Sequence, residues 1–105
     1  MTRLLVVFLL TAAPVAAQTP PITLIVRNHV FSPARIDVPT GQKIELRITN
    51  ADATEEEFDS SDLHREKDLP PGREVVVFVG PLRAGTYEFI GELHPDTAHG
   101  QVVAK

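Results

Sequence analysis

The clearest hydrophobic pattern in the chain is the alternation of apolar with charged or polar residues from position 43 to 49. Ile44, Leu46 and Ile48 are apolar, whereas Glu45 and Arg47 between them are charged. Successive side chains of a β-strand point to opposite faces of the sheet. The pattern therefore predicts a strand with one face in a core and the other in solvent.

Further segments rich in β-branched and aromatic residues are also predicted to be strands, namely residues 22–26, 35–38, 73–79, 86–90 and 101–104. Turns rich in Pro, Gly and Asn separate them. About seven short strands with turns at intervals of roughly eight to twelve residues predict an all-β fold, a small Greek-key β-sandwich. The nearly continuous β-branched run at 73–79 predicts a central strand.

The predicted core consists of the inward-facing apolar residues of these strands. They are Ile22, Leu24, Val26, Ile36, Val38, Ile44, Leu46, Ile48, Phe58, Val75, Val77, Phe89 and Val102. The acidic segment 53–68 does not follow the strand pattern, and Phe58 and Leu63 are its only large apolar anchors. We expect this segment to be irregular. Its sequence is compatible with one helical turn over residues 62–66.

The N-terminal segment has the three-part pattern of a secretory signal peptide. Arg3 precedes an apolar run at 4–10, and small residues at 15–17 precede Gln18. The run is too short for a membrane span. The pattern predicts a signal peptide over residues 1–17, cleavage after Ala17, and a periplasmic mature domain over residues 18–105 without a membrane span. An uncleaved anchor is the alternative.

Composition restricts the chemistry open to the mature domain. The chain has no cysteine, and Met1 is its one methionine, so the mature domain would contain no sulfur. The net charge is −4, and acidic residues concentrate in segment 52–68. An acidic domain without a basic stripe argues against nucleic acid as a partner and is compatible with a cation as ligand. No phosphate-binding glycine loop or nucleophile elbow is present.

The final predicted hairpin contains Tyr87, Gly91, His94 and His99 in one loop and the strand before it. These positions match the pattern Tyr-x-x-x-Cys-x-x-His-x-x-x-x-Met of the final hairpin of cupredoxins, and the chain resembles the cupredoxin-like family, and within it the cysteine-free, EfeO-type domains. The other matching segments are Phe31-Ser-Pro33, Ile36-Asp-Val-Pro-Thr-Gly41, Asn50-Ala-Asp52, Glu56-Glu-Phe58, Glu66-Lys67, Gly80-Pro-Leu82, Gly85-Thr-Tyr87, Gly91-Glu92 and Gly100.

The resemblance implies a metal site with Glu57, Glu66, His94 and His99 as ligands. Glu57 occupies the position of the first histidine ligand, His99 that of the axial methionine, and Gly91 that of the copper thiolate. Glu66 would fill the coordination that Gly91 leaves open. The alternative for Glu57, His94 and His99 is a solvated surface role, and the alternative for Glu66 is an ion pair with Arg65 or Lys67. Glu92 and His64 are weaker candidates, and His29 is interpreted as a structural or surface histidine.

The resemblance also implies a function in bacterial iron uptake, because such small exported proteins accompany high-affinity iron permeases. The expected ligand is a transition metal ion, Cu(II) or iron, since carboxylate and imidazole donors suit these ions and disfavour Cu(I). The expected partner is an iron permease or another periplasmic subunit. Two alternatives stay open: an enzyme that cycles a metal and oxidises Fe(II), and a metal-free interaction module.

Overall fold

The computed structural model describes residues 2–10 and 19–105, and within these ranges the chain forms nine strands and no helix. The predicted cleavage site at residues 15–17 and Gln18 lie outside the described residues. The strands are β1 (Ile22–Arg27), β2 (Val30–Ser32), β3 (Arg35–Val38), β4 (Ile44–Asn50), β5 (Glu56–Ser60), β6 (Arg65–Leu69), β7 (Glu74–Val79), β8 (Gly85–Ile90) and β9 (His99–Ala104).

Two sheets form the fold. The first has four strands in the order β2-β1-β4-β7, and the second has five in the order β3-β9-β8-β5-β6. The pairs β1/β4 and β3/β9 are parallel, and the other pairs are antiparallel. Buried residues of both sheets form one hydrophobic core. The prediction of an all-β sandwich is confirmed, with nine strands where about seven were expected. In the part of the chain that the structure describes, no helix is long and apolar enough to span a membrane.

The alternating strand at 43–49 corresponds to β4, which lies between β1 and β7. Ile44, Leu46 and Ile48 are fully buried, whereas Glu45 and Arg47 reach solvent and form an ion pair at 2.8 Å. This register is the one that the alternation predicts, because a shift by one residue would expose all three apolar side chains.

The prediction that residues 73–79 form a central strand is wrong. This segment forms β7, which pairs only with β4 and lies at the edge of its sheet. Val77 and Val79 face the core, but Val76 and Phe78 are 40% and 44% exposed. β-branched residues fit any pleated surface, so their density does not by itself distinguish a central strand from an edge strand.

The prediction that the acidic segment is irregular is also wrong. It forms the antiparallel hairpin β5–β6, in which Phe58 lies opposite Lys67 and Ser60 lies opposite Arg65. The region proposed for a helical turn contains the hairpin turn instead. Ser60 Oγ accepts a hydrogen bond from the Leu63 backbone N–H at 3.0 Å and donates one to the Glu88 carbonyl at 2.6 Å. These side-chain bonds close the turn.

All predicted core residues are buried or packed against the core, with Ile22 and Val75 only partly buried. The structure adds Phe31, Leu63, Leu69, Val79, Ala98 and Ala104. Phe31, Phe58 and Phe89 form an aromatic cluster in which the rings of Phe31 and Phe89 meet edge to face at 5.3 Å. Because Gly91 lies against Phe31, this cluster supports the loop between β8 and β9.

Candidate metal centre

Two histidines and one glutamate from three separate parts of the chain meet at one end of the sandwich. His29 lies in the turn between β1 and β2, Glu56 begins β5, and His94 lies in the loop between β8 and β9. Each offers a nitrogen or oxygen, and these atoms lie within 4.8 Å of one another. We call these three residues the His/Glu/His group.

His29 is presented by a tight two-residue turn. Arg27 pairs with Val30 across the hairpin, and the two residues between them, Asn28 and His29, have φ angles of 52° and 61°. Positive φ at both central positions is the backbone of the favoured two-residue hairpin turn. Asn and His both occur at positive φ more often than most other non-glycine residues, so both turn residues are compatible with this backbone, although each has a steric cost there.

Glu56 is fully buried because it faces inward at the start of β5. The inward positions of this strand are Glu56, Phe58 and Ser60, and the outward positions are Glu57 and Asp59. A buried carboxylate loses its hydration and needs hydrogen bonds or a cation in return. Glu56 therefore occupies a core position that an apolar residue would fill at lower cost.

His94 is held by hydrogen bonds within its loop. Its backbone N–H donates to the Gly91 carbonyl at 3.0 Å, and its own carbonyl accepts from the Ala98 N–H at 2.8 Å. The Gly91 N–H in turn donates to the Ala98 carbonyl at 2.8 Å. The loop is thus closed on itself, which fixes the position from which the imidazole reaches Glu56.

The two carboxylate oxygens of Glu56 face one imidazole each. Oε1 is hydrogen-bonded to Nδ1 of His29, and Oε2 lies 3.4 Å from Nδ1 of His94. The two imidazole rings are stacked, with centroids 3.5 Å apart and planes 18° from parallel. Within the described residues, Glu56 Oε2 and His94 Nδ1 are buried and have no hydrogen-bond partner.

The donor set of the His/Glu/His group fits a divalent transition ion. Imidazole nitrogen suits Zn, Cu, Fe and Ni, and two histidines with one carboxylate form a set typical of non-haem Fe(II) sites. A cation between Oε2 and Nδ1 would satisfy the two buried atoms that lack partners. The rings are 39% and 35% exposed, so an ion could enter from solvent.

Glu57, Glu66 and Glu92 form a second, acidic cluster, which we call the three-glutamate group. Their carboxylate oxygens lie within 4.8 Å of one another, and Glu66 and Glu92 are exposed. Burial, together with shared hydrogen bonds and repulsion from Glu92 and Glu66, raises the pKa of Glu57 to about 7. Like charges this close disfavour simultaneous ionisation.

The residues predicted as ligands do not lie together in the structure: some belong to the His/Glu/His group and others to the three-glutamate group. His94 lies in the His/Glu/His group, whereas Glu57 and Glu66 lie in the three-glutamate group. His99 is exposed at the start of β9, opposite Ile90, and among the described residues it joins neither group. Binding of one ion by all four stays a prediction. Of the weaker candidates, Glu92 joins the three-glutamate group, and His64 is exposed in the β5–β6 turn.

Glu56 was not predicted as a ligand from the sequence, and His29 was interpreted as a structural or surface histidine. One signal could have found Glu56: if Phe58 is inward on a strand, then Glu56 is inward too. No local signal identifies His29, because its neighbours in the group are 27 and 65 positions away in the sequence.

Gly91 has no room for a side chain in this fold. A Cβ at this position would lie 2.7 Å from Cβ of Ala98 and 3.2 Å from the Glu57 carbonyl oxygen. The space that a side chain at position 91 would need is therefore already filled by Ala98. A metal ligand at this loop position would require the loop to move.

Comparisons with known proteins agree with this architecture. The model of the cupredoxin-like domain matches residues 1–104. The chain belongs to the cupredoxin-like domain family. A protein of Rickettsia prowazekii (strain Madrid E), described as uncharacterized, is 43% identical over 82 residues, which cover 78% of this chain and 66% of that relative, just under two thirds of its length.

Solved cupredoxin structures share the fold of this cupredoxin-like domain at low sequence identity. Auracyanin A, a "blue" copper protein from Chloroflexus aurantiacus, has a TM-score of 0.71 at 16% identity, covering 82% of this chain and 98% of its own. A purple cupredoxin from Nitrosopumilus maritimus has a TM-score of 0.62 at 19% identity, and the match covers 80% of this chain and 99% of that protein. The metal-binding domain of the Cu(I)-exporting P-type ATPase CopA from Streptococcus pneumoniae D39, solved with Cu(I), has a TM-score of 0.69 at 16% identity. The match covers 81% of this chain and 84% of that domain.

Proposed function

We propose that this cupredoxin-like domain is a periplasmic metal-binding protein that serves bacterial iron uptake. Its ion is bound by His29, Glu56 and His94. Iron is the cargo that the protein binds and passes on, and a permease or another periplasmic subunit receives it. Export is supported by the N-terminal pattern of residues 1–17, and the uptake role by the resemblance to EfeO-type domains.

The observation that best supports metal binding is a pair of buried polar atoms at the centre of the His/Glu/His group. Glu56 Oε2 and His94 Nδ1 lie 3.4 Å apart, and neither has a hydrogen-bond partner among the described residues. A buried polar atom without a partner costs about 1–3 kcal/mol, and more if it is charged. A bound cation would remove this cost from both atoms at once.

Iron is favoured as cargo by the donor set and by the lack of sulfur. Two histidines and a carboxylate are typical of Fe(II) sites with open positions, whereas Cu(I) prefers thiolate or thioether. Affinity alone does not identify the cargo, because Cu(II) binds most nitrogen and oxygen sites more tightly than Fe(II) does. The identity of the ion therefore has to be tested in cells as well as in solution.

The solution test is a titration of Cu(II), Zn(II), Fe(II) and Mn(II) into the purified protein and its variants. We expect one ion per chain and an affinity loss of at least about 10-fold in His29→Ala, Glu56→Gln and His94→Ala, because the alanine variants each remove an imidazole ligand and Glu56→Gln replaces an anionic ligand by a neutral one. His64→Ala is the control, since this exposed histidine lies in the β5–β6 turn. Equal affinities in all five proteins would refute the assignment of the site.

The cellular test is iron accumulation by the native host at limiting iron. Deletion of the gene should lower iron accumulation, the wild-type gene should restore it, and the His94→Ala gene should not. The protein recovered from the periplasm should contain iron. Full restoration by His94→Ala would contradict the metal-binding role in uptake and would favour a metal-free interaction module.

A further inference from the structure

The side chain of Asp52, which lies in the loop after β4, is anchored next to the His/Glu/His group by two hydrogen bonds. Its Oδ1 accepts a hydrogen bond from the Asn28 backbone N–H at 2.6 Å, and its Oδ2 accepts one from the His29 backbone N–H at 3.1 Å. One carboxylate therefore holds two successive amides of the β1–β2 turn. The side chain is only 11% exposed.

The turn that Asp52 holds has a steric cost at both of its central residues. Asn28 and His29 have φ angles of 52° and 61°, in the left-handed region, which costs an L-residue up to roughly 1–2 kcal/mol. Two charge-assisted hydrogen bonds to consecutive N–H groups offset that cost. Burial alone would raise the pKa of Asp52, but the hydrogen bonds from the Asn28 and His29 amides, together with a hydrogen bond to Glu56 and the charge of His29, lower the pKa below its usual value.

Asp52 is itself held by the buried side chain of Asn50. The Asp52 N–H donates to Asn50 Oδ1 at 2.8 Å, while Asn50 Nδ2 donates to the carbonyls of Thr54 and Leu69 at 2.9 and 2.8 Å. Asn50 is fully buried, and the Ala51 N–H donates to the Val26 carbonyl at 2.9 Å. A continuous set of hydrogen bonds therefore connects β4, β6 and the end of β1 to the turn.

We propose that Asp52 is the positioning residue of the metal centre: it fixes the left-handed β1–β2 turn and so places the His29 imidazole against Glu56 and over His94. This inference rests on the proposed function. Asp52 is not a ligand in this account, because each of its oxygens accepts a hydrogen bond from a backbone N–H, and the donor group found among the described residues comprises His29, Glu56 and His94. Without Asp52, His29 would leave the group while Glu56 and His94 stay.

The first test counts the imidazoles bound to Cu(II). Cu(II) is added to the wild type, Asp52→Ala and Asn28→Gly/Asp52→Ala, and nitrogen hyperfine couplings are measured by electron paramagnetic resonance together with affinity. We expect two imidazole nitrogens in the wild type, and one nitrogen with about 10–100-fold weaker binding in Asp52→Ala. Asn28→Gly should restore the second nitrogen at least in part, because glycine removes the steric cost of positive φ at the first of the two turn residues.

Two results would overturn the inference. One is that Asp52→Ala keeps two nitrogens and the wild-type affinity. The other is that Asn28→Gly restores neither the second nitrogen nor the affinity, which would mean that Asp52 acts through its charge or as a ligand. If Asp52→Ala does not fold, Asp52→Asn carries the same comparison, since it keeps one acceptor oxygen and loses the charge.

The second test needs no metal and separates this inference from the proposed function. In the metal-free wild type, nuclear Overhauser contacts between the ring protons of His29 and His94 report the stacking. We expect these contacts to vanish in Asp52→Ala and to return in Asn28→Gly/Asp52→Ala. Unchanged contacts in Asp52→Ala would overturn the positioning role. Failure of the wild type to bind any ion would refute the proposed function alone.

Discussion

Glu56 and Glu57 are neighbours on β5, but they face opposite sides of the sheet and have different chemistry. Glu56 faces inward, is fully buried, and lies between two imidazoles. Glu57 faces outward and shares its surroundings with Glu66 and Glu92. Both places bring carboxylate oxygens close to other polar groups, but only the His/Glu/His group also offers nitrogen donors.

The three-glutamate group should make the stability of the fold depend on pH. The pKa of Glu57 is raised from 4.5 to about 7, so the folded state binds more protons than the unfolded state between these values. The stabilisation from protonated Glu57 is fully present below about pH 4.5 and is lost as the pH rises through about 7. We expect Glu57→Gln to be more stable than the wild type at pH 8 and to differ little from it at pH 4.5.

Urea unfolding in the presence of a chelator, at a series of pH values, measures this difference. Glu74→Gln is a suitable control, because it removes a similar charge from an exposed position on β7. A Glu57→Gln variant that gains no stability over the wild type between pH 4.5 and pH 8 would show that Glu57 does not titrate as described.

At the scale of single elements, the loop between β8 and β9 depends on the absence of a side chain at position 91. We expect Gly91→Ala to destabilise the fold by about 1–3 kcal/mol, since its Cβ would overlap with Ala98. Gly91→Ala/Ala98→Gly should recover part of this loss by freeing the space. The free energies of unfolding of the three proteins test this, and a Gly91→Ala variant as stable as the wild type would contradict it.

How far each element could be predicted depends on its pattern. β4 was predictable because its inward and outward positions differ in polarity all along the strand. β5 and β6 were not predictable, because the inward side of β5 contains the polar residues Glu56 and Ser60. The hydrogen-bond partners of these two side chains lie far away in the sequence, as Glu88 does for Ser60. His94 was predicted as a ligand because its position in the final hairpin matches the histidine of the cupredoxin ligand pattern. His29 and Glu56 were not found, because only the folded chain brings them to His94.

At the scale of the whole molecule, metal binding should stabilise the fold, because the unfolded chain does not hold the three ligands together. An ion present at 100 times its dissociation constant adds about 2.7 kcal/mol of stability. We expect Zn(II) to raise the melting temperature of the wild type and to raise that of Glu56→Gln by clearly less, because the weaker site contributes less at the same Zn(II) concentration. Differential scanning calorimetry measures both, and equal shifts in the two proteins would place the ion elsewhere.

The spectrum of the copper-loaded protein should reflect the absence of cysteine from the chain. Copper in this protein has only nitrogen and oxygen donors, so the Cu(II) form should lack the intense thiolate-to-copper absorption of blue copper centres. Visible absorption spectroscopy of the Cu(II)-loaded wild type tests this. An intense band of that kind would contradict the donor set described for the site.

Anomalous X-ray diffraction from crystals of the Zn(II)-loaded protein tests the central claim most directly, because it locates the ion itself. We expect one strong anomalous peak about 2.0–2.2 Å from a nitrogen of His29, a nitrogen of His94 and an oxygen of Glu56. A peak at Glu57, Glu66 and Glu92, with none at the His/Glu/His group, would contradict the account.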